Sequence, residues 1–276
     1  METFETFAEG LDHPEGAAFG PDGNVYAGGE VGQIYRISPE GAIEVVADTG
    51  GFLFGVTVDG SGNIYGCDMG RAEIVKVSPF GTVTTHSSGT AEHPLRVPNF
   101  AAFDDTGLLY VTDSGEWGAD DGLLFRVTPD GETTVWTEAV PGFPNGCCLT
   151  AEGDALLVVE SSARRVVRVP IEESGAAGRV TVVADLTGSQ PDGIALAIDG
   201  TMFVGCYRPD LIWRIPPDGE PERWAEDPDG VVLNQPANPV FIGEKHDRLL
   251  LTSLGGWNLV VAVAGVAGLP LRYPLL

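Results

Sequence analysis

The stretch of sequence that decides the fold runs from Pro191 to Ile215 and reads PDGIALAIDGTMFVGCYRPDLIWRI. A short apolar run follows its first turn residues, and the polar turn Asp199-Gly200 leads into a second run rich in β-forming residues. A loop then leads to a third run, which begins at Leu211. Short runs of this kind, separated by Gly, Pro, Asn and Asp, are typical of antiparallel β-strands joined by turns.

The same unit recurs along the chain, and its first runs begin 39 to 47 residues apart. A fourth run, such as Val180 to Ala184, closes the unit. Four short strands repeated six times predict an all-β fold, a six-bladed β-propeller with four antiparallel strands per blade. The six first runs are Glu15-Gly-Ala-Ala-Phe, Phe54-Gly-Val-Thr-Val, Asn99-Phe-Ala-Ala-Phe, Asn145-Gly-Cys-Cys-Leu, Asp192-Gly-Ile-Ala-Leu and Asn238-Pro-Val-Phe-Ile.

The amino-terminal segment from Thr3 to Gly10 resembles the fourth run of a unit, such as Thr181 to Asp185. We therefore expect an N-terminal strand that completes the last blade and closes the ring, which hides the sheet edges that invite aggregation. The repeats account for nearly the whole chain, so a single propeller domain is predicted over residues 1–276. No stretch has a sustained 3.6-residue apolar period, so helix is expected to be nearly absent.

The charge of the chain limits its partners. Its 276 residues include 15 Lys and Arg against 40 Asp and Glu, which gives a formal net charge of −25. Such a surface repels phosphate backbones and anionic lipid headgroups, so neither nucleic acid nor membrane binding is expected. Hydrophobic residues make up 43% of the chain, enough to form a core. A small-molecule substrate is the expected partner, and nothing in the sequence predicts a protein partner.

The sequence also predicts a cytoplasmic location. The first residues are acidic where a signal peptide would be basic and then apolar, and no run reaches the ~18 apolar residues of a membrane helix. The cysteines lack C-x-x-C spacing and are interpreted as buried thiols in a reducing compartment. They are Cys67, Cys147, Cys148 and Cys206.

A possible cation site lies at the start of the first strands. In a propeller these strands are innermost, so their equivalent starting residues converge on the axis, although a single Asn or Asp before Gly is usually a turn residue. Five of the six carry a side-chain oxygen, and oxygen ligands suit Ca²⁺ first, with Mg²⁺, Mn²⁺ or Zn²⁺ as alternatives. The nitrogen and sulfur ligands of a structural zinc site are missing. The starting residues are Glu15, Phe54, Asn99, Asn145, Asp192 and Asn238.

The loops between second and third strands return to the same mouth of the channel. Their side chains are either the rim of a small-molecule pocket or solvated loop tips. Arg96, three residues before Asn99, is either a substrate anchor or a surface charge, and His13 is the one histidine close to an axial residue. The rim residues are Asp68, Arg71, Asp113, Trp117, Arg208 and Trp257.

Four motifs on this frame resemble the SMP-30/gluconolactonase/LRE family, which includes regucalcin-type lactonases and is similar in site layout to diisopropylfluorophosphatase and the paraoxonases. The resemblance implies a divalent cation held by Glu15, Asn145 and Asp192, with Asn99 as a ligand or substrate contact. It also implies hydrolysis of a lactone or related ester, with Asp192 as the candidate base. The motifs are Pro14-Glu15-Gly16, Pro98-Asn99, Pro144-Asn145-Gly146 and Pro191-Asp192-Gly193.

Two positions depart from the family pattern. Lactonases of the family commonly have Asn-Asp in blade three, whereas here Phe100 follows Asn99, and the blade-two residue Phe54 is apolar. A more apolar lactone, or another substrate, is therefore expected. The expected substrate contacts are Arg96, Asn99, Trp117, Phe54 and Arg208.

The leading hypothesis is a metal-dependent lactonase or esterase. In it the cation polarises the ring carbonyl, and a water activated by the cation or by Asp192 attacks the carbonyl carbon. One alternative is an organophosphate or phosphotriester hydrolase that uses the same site, with Asp192 as nucleophile or base. Another is a non-catalytic propeller that is stabilised by calcium and binds a ligand or protein, because a fold alone does not set a function.

Overall fold

The computed structural model describes residues 3–276, and in this part of the chain it contains 24 β-strands and no helix. The strands form six sheets of four, each of which is one blade. Blade 1 contains β2 (Ala17–Phe19), β3 (Val25–Gly28), β4 (Gln33–Ile37) and β5 (Ile43–Asp48). Blade 2 contains β6 (Leu53–Val58), β7 (Ile64–Asp68), β8 (Glu73–Val77) and β9 (Val83–Ser87). Blade 3 contains β10 (Pro98–Phe103), β11 (Leu109–Asp113), β12 (Leu123–Val127) and β13 (Thr133–Thr137).

The second half of the ring repeats this order. Blade 4 contains β14 (Pro144–Leu149), β15 (Ala155–Glu160), β16 (Arg165–Pro170) and β17 (Thr181–Asp185). Blade 5 contains β18 (Gln190–Leu196), β19 (Met202–Arg208), β20 (Asp210–Ile215) and β21 (Glu222–Glu226). Blade 6 contains β22 (Pro236–Ile242), β23 (Arg248–Ser253), β24 (Asn258–Val263) and the amino-terminal strand β1 (Glu5–Glu9).

The amino-terminal strand closes the ring. It pairs antiparallel with β24, from Glu5 opposite Val261 to Glu9 opposite Asn258, and so supplies the fourth strand of the last blade. The six-bladed propeller and its closure by the N-terminal strand are thereby confirmed. Within residues 3–276 there is no helix long and apolar enough to span a lipid bilayer.

The core lies between neighbouring blades, because the middle strands are buried on both faces. Strands β7, β11 and β15 are buried at every position, which explains their nearly continuous apolar sequence. One cluster joins Tyr65 and Ile74 of blade 2 to Leu109 and Phe125 of blade 3, and similar clusters fill the other blade junctions. The fourth strands lie outermost, and β17 has only one buried residue, Ala184. The four cysteines are free thiols.

The first strands of neighbouring blades contact one another and line a central channel. Their walls are mostly small or apolar side chains, including Ala17, Val56, Ala101 and Ala195. The carboxy-terminal segment, residues 269–276, lies across the end of the channel where the first strands finish. The mouth is therefore at the opposite end, where the first strands begin.

Candidate functional site

Five of the six axial residues lie in an irregular part of their first strand, whereas Glu15 precedes the regular strand β2. The regular pairing with the second strand is interrupted on either side of Asn99, and again around Asn145, Asp192 and Asn238. The interruption in blade 2 includes Phe54. A β-bulge bends the strand and redirects the side chain it carries. At these bulges the side chains therefore no longer alternate regularly between the two faces of the strand.

Five polar axial residues are buried together at the mouth. Glu15, Asn99, Asn145, Asp192 and Asn238 are each at most 5% exposed. They contact one another around the ring: Asn238 lies against the glycine that follows Asp192, and its Nδ2 donates a hydrogen bond to the carbonyl oxygen of Glu15 at 3.0 Å. The structure thus brings together all four predicted ligands, together with Asn238.

The buried oxygens of this group fit a hard divalent cation. Within residues 3–276, the Oδ1 atoms of Asn99, Asn145, Asp192 and Asn238 have no hydrogen-bond partner. A buried acceptor without a donor costs about 1–3 kcal/mol, and four of them in one place form an unusual concentration. Carboxylate and amide oxygens without nitrogen or sulfur are the donor set that Ca²⁺, Mg²⁺ and Mn²⁺ prefer.

The two axial carboxyl groups have perturbed acidity. Burial raises the pKa of Asp192 to about 7, against a smaller opposing effect of its hydrogen bond with Asn145. The pKa of Glu15 is raised well above its usual range, first by burial and then by repulsion from Asp192 and Glu30. In the described part of the chain, no Lys, Arg or His forms an ion pair with either carboxylate. Charge compensation must come from a proton or from a bound cation.

Aromatic side chains lie at the mouth. Trp117 packs edge-on against Phe143, with ring centroids 4.9 Å apart, and Phe143 directly precedes the blade-4 first strand. Phe54 packs against Phe52 at 5.1 Å in the same manner. Trp117 is about half exposed. These side chains offer an apolar surface next to the axial oxygens.

The predicted arginine contacts differ from one another. Arg96 is held by Asp121, with Nη1 to Oδ2 at 2.6 Å and Nη2 to the carbonyl oxygen at 2.7 Å, and it lines a surface groove that includes none of the axial residues. Arg71 likewise contacts Glu73. Arg208 is exposed and forms no ion pair among residues 3–276.

Two of the carboxylates predicted at the rim are buried and have a structural role. Asp113 is buried, and its oxygens accept hydrogen bonds from the backbone N–H groups of Arg96 and Val97. Asp68 is also buried and accepts from the N–H groups of Phe52 and Arg71. Both carboxylates thus fix the loop that leads into the first strand of their own blade.

The structure adds Tyr207, Asp12 and Glu30 to the residues that the sequence identified. Tyr207 is partly buried near the end of β19, and its pKa is raised first by burial and then by the negative charges of Asp192 and Glu15. His13 Nδ1 lies 3.0 Å from Asp12 Oδ1 and 3.5 Å from Glu30 Oε2 at the blade-1 side of the mouth. The only sequence feature that pointed to His13 and its neighbours was the position of His13 two residues before Glu15.

Family models match most of the chain. The model described as SMP-30/Gluconolactonase/LRE-like region matches residues 32–255. A second model, described as strictosidine synthase-like, N-terminal, matches residues 2–37.

Curated relatives come from Arabidopsis thaliana. The protein STRICTOSIDINE SYNTHASE-LIKE 3 is 31% identical over 163 residues, which cover 54% of this chain and 41% of that protein. STRICTOSIDINE SYNTHASE-LIKE 13 is 29% identical over 157 residues, which cover 52% of this chain and 38% of that protein. The aligned region is thus about two fifths of the length of these relatives.

Solved structures share the fold at low sequence identity. A gluconolactonase from Xanthomonas campestris is 19% identical with a TM-score of 0.80, covering 94% of this chain and 89% of its own. A calcium-binding regucalcin from Agrobacterium tumefaciens is 19% identical with a TM-score of 0.80, and the match covers 99% of this chain and 97% of the regucalcin. A virginiamycin B lyase from Staphylococcus aureus is more distant, at 17% identity and a TM-score of 0.67, covering 91% and 80%.

Proposed function

The chain belongs to the SMP-30/gluconolactonase/LRE-like family, and we propose that it is a divalent-metal-dependent hydrolase of a lactone or a related small ester. The observation that carries this proposal is the group of buried axial oxygens without hydrogen-bond partners. The gluconolactonase and regucalcin folds support it, since one of those proteins is named for lactone chemistry and the other for calcium binding.

Glu15, Asn145 and Asp192 would hold the cation, and the oxygens of Asn99 and Asn238 lie in the same buried group. Ca²⁺ is the first choice for this donor set. A cation bound there would act as a Lewis acid on the substrate carbonyl.

Asp192 is the candidate general base. Burial raises its pKa to about 7 in the cation-free protein, whereas a bound cation would lower it, so Asp192 would act as a base while it is displaced from the cation. In the proposed reaction Asp192 accepts a proton from water while the water oxygen bonds to the carbonyl carbon. The ring C–O bond then breaks, and the leaving alkoxide takes up a proton, which gives a hydroxy acid.

The mouth favours a neutral substrate with an apolar part. Trp117 and Phe54 offer apolar faces, and Asn99 offers a polar contact. Arg208 is exposed at the rim and forms no ion pair among residues 3–276, whereas Arg96 would have to leave Asp121 before it could contact a ligand. The buried carboxylates and the net charge of −25 disfavour anionic substrates. A cytoplasmic location is part of this proposal, and the four free thiols support it.

A panel of lactones, aryl esters and phosphotriesters, assayed with and without EDTA, tests the proposal. Lactone hydrolysis that EDTA abolishes and added Ca²⁺ or Mn²⁺ restores is the expected result. Turnover of the phosphotriesters alone would favour the organophosphate hydrolase. Cation binding measured by calorimetry without turnover of any substrate would favour a non-catalytic binding propeller.

A further inference from the structure

We propose that Thr112 and Thr252 are positioning residues that fix two of the axial ligands through their backbone. This inference rests on the proposed cation site.

Thr252 joins the last blade to the first at the ligand position. It is fully buried on β23, where its Oγ1 accepts a hydrogen bond from the N–H of Asn238 at 2.9 Å and donates one to the carbonyl oxygen of Glu15 at 2.5 Å. Asn238 Nδ2 donates to the same carbonyl at 3.0 Å. Two side chains from blade 6 therefore hold the backbone of Glu15.

Thr112 makes the same connection between blades 3 and 4. It is the next-to-last residue of β11, as Thr252 is of β23. Its buried Oγ1 accepts from the N–H of Phe100 at 3.0 Å and donates to the carbonyl oxygen of Asn145 at 2.8 Å. Ser114 adds a second connection at this junction, since its Oγ donates to the carbonyl oxygen of Pro144 at 2.8 Å.

The junction between blades 4 and 5 lacks both connections. The next-to-last residue of β15 is Val159, which is buried and has no donor, and the hydroxyl of Ser161 has no hydrogen-bond partner among residues 3–276. In the same part of the chain no side chain donates to the carbonyl oxygen of Asp192. Among residues 3–276, Glu15 and Asn145 are therefore anchored from the preceding blade, whereas Asp192 and Asn99 are not, since β7 has Cys67 at the equivalent position.

The anchors would hold Glu15 and Asn145 in place for a cation, and outer hydrogen bonds of this kind typically change metal affinity or activity by about 10–100-fold.

The test measures Ca²⁺ affinity by calorimetry on the full chain. Thr112→Val and Thr252→Val keep the shape of the side chain and remove the donor, and each should weaken binding about 10–100-fold. Thr→Ser at either position should restore most of the affinity. Thr201→Val is the control, since Thr201 is equally buried at the far end of the channel. Wild-type affinity in both folded Thr→Val variants would overturn the anchoring role.

The calorimetric test separates this inference from the proposed function: wild-type protein that binds Ca²⁺ without lactone turnover contradicts the activity alone, whereas unaltered affinity in the threonine variants contradicts the anchors alone.

Discussion

The two ends of the central channel are built from the same six strands and differ in how their polar groups are satisfied. At the mouth, the buried Oδ1 atoms of four axial residues have no hydrogen-bond partner among residues 3–276. At the far end, hydrogen bonds hold the carboxy-terminal segment: the Tyr273 hydroxyl donates to the carbonyl oxygen of Phe19 at 2.5 Å, and the N–H of Gly60 donates to the carbonyl oxygen of Pro274 at 2.7 Å. Arg272 Nη2 also donates to the carbonyl oxygens of Thr150 and Ala151.

The difference indicates which end serves binding and which serves stability. Unpaired buried oxygens destabilise a fold, so a concentration of them is expected where a ligand completes the hydrogen-bonding or coordination shell. The far end instead ties five blades together through one segment, because residues 269–276 contact blades 1 to 5. Changes at the mouth should alter activity, and changes at the far end should alter stability.

The largest expected effect comes from replacing one buried Asp by Asn at each end of the channel. Asp192→Asn should lower kcat by about 10²–10⁴-fold, because it removes the candidate base. Asp59→Asn at the far end should leave kcat nearly unchanged and cost about 1–3 kcal/mol of stability, because its new amide NH₂ would replace Oδ2, the oxygen that accepts a hydrogen bond from Asn63 Nδ2 at 2.7 Å. Steady-state kinetics and thermal melting, with metal content determined on the same samples, measure both effects.

Wild-type turnover in cation-loaded Asp192→Asn would remove Asp192 from the mechanism. A loss of activity far beyond this range, together with lost metal, would instead identify the change as one of cation binding.

Cation removal should have the next largest effect, and it should depend on pH. A cation at 100 times its Kd stabilises the fold by about 2.7 kcal/mol. The pKa of Asp192 is about 7 in the folded, cation-free protein and about 3.9 in an unfolded chain, so the cation-free protein loses stability as the pH rises through this interval. A bound cation compensates the ionised carboxylate.

The difference in melting temperature between samples with Ca²⁺ and samples with EDTA should therefore widen from pH 5 to pH 8. Melting curves at unit pH steps measure it. A gap that is constant across this range would contradict the assignment of Asp192 to the cation.

A smaller effect is expected from the far end. Tyr273→Phe removes one buried hydrogen bond and should lower stability by about 1 kcal/mol, with kcat/KM unchanged. Chemical denaturation compared with lactone turnover on the same preparation tests this. Reduced activity at full stability would show that the two ends are coupled.

The smallest expected effect is at the aromatic rim. Trp117→Ala removes the contact with Phe143 and should raise KM for an aromatic lactone by a factor that corresponds to about 0.5–1.5 kcal/mol, with little change in kcat. Phe80→Ala is the control, because Phe80 is 94% exposed in a turn between outer strands. Equal KM values in the two variants would remove Trp117 from the substrate site.

Much of the candidate site follows from the repeat. The position of Asp192 after Pro191 and at the start of a short apolar run has equivalents in the other blades, so its convergence with Asn145 on the axis was predictable. The role of Asp113 was not predictable, because the sequence does not distinguish an exposed rim carboxylate from a buried one that accepts hydrogen bonds from a backbone loop. Only the structure shows its buried hydrogen bonds.

The sequence by itself determined the six blades, the closing strand and the residues at the axis, because alternation and turn residues are local signals that a repeat multiplies. Only the tertiary structure decided the bulges at the axial residues, the threonine anchors and the carboxy-terminal seal of the channel. Thr252 contacts Glu15 across 237 positions of sequence, and Tyr273 contacts Phe19 across 254. Contacts over such separations depend on how the ring closes, and no local pattern encodes them.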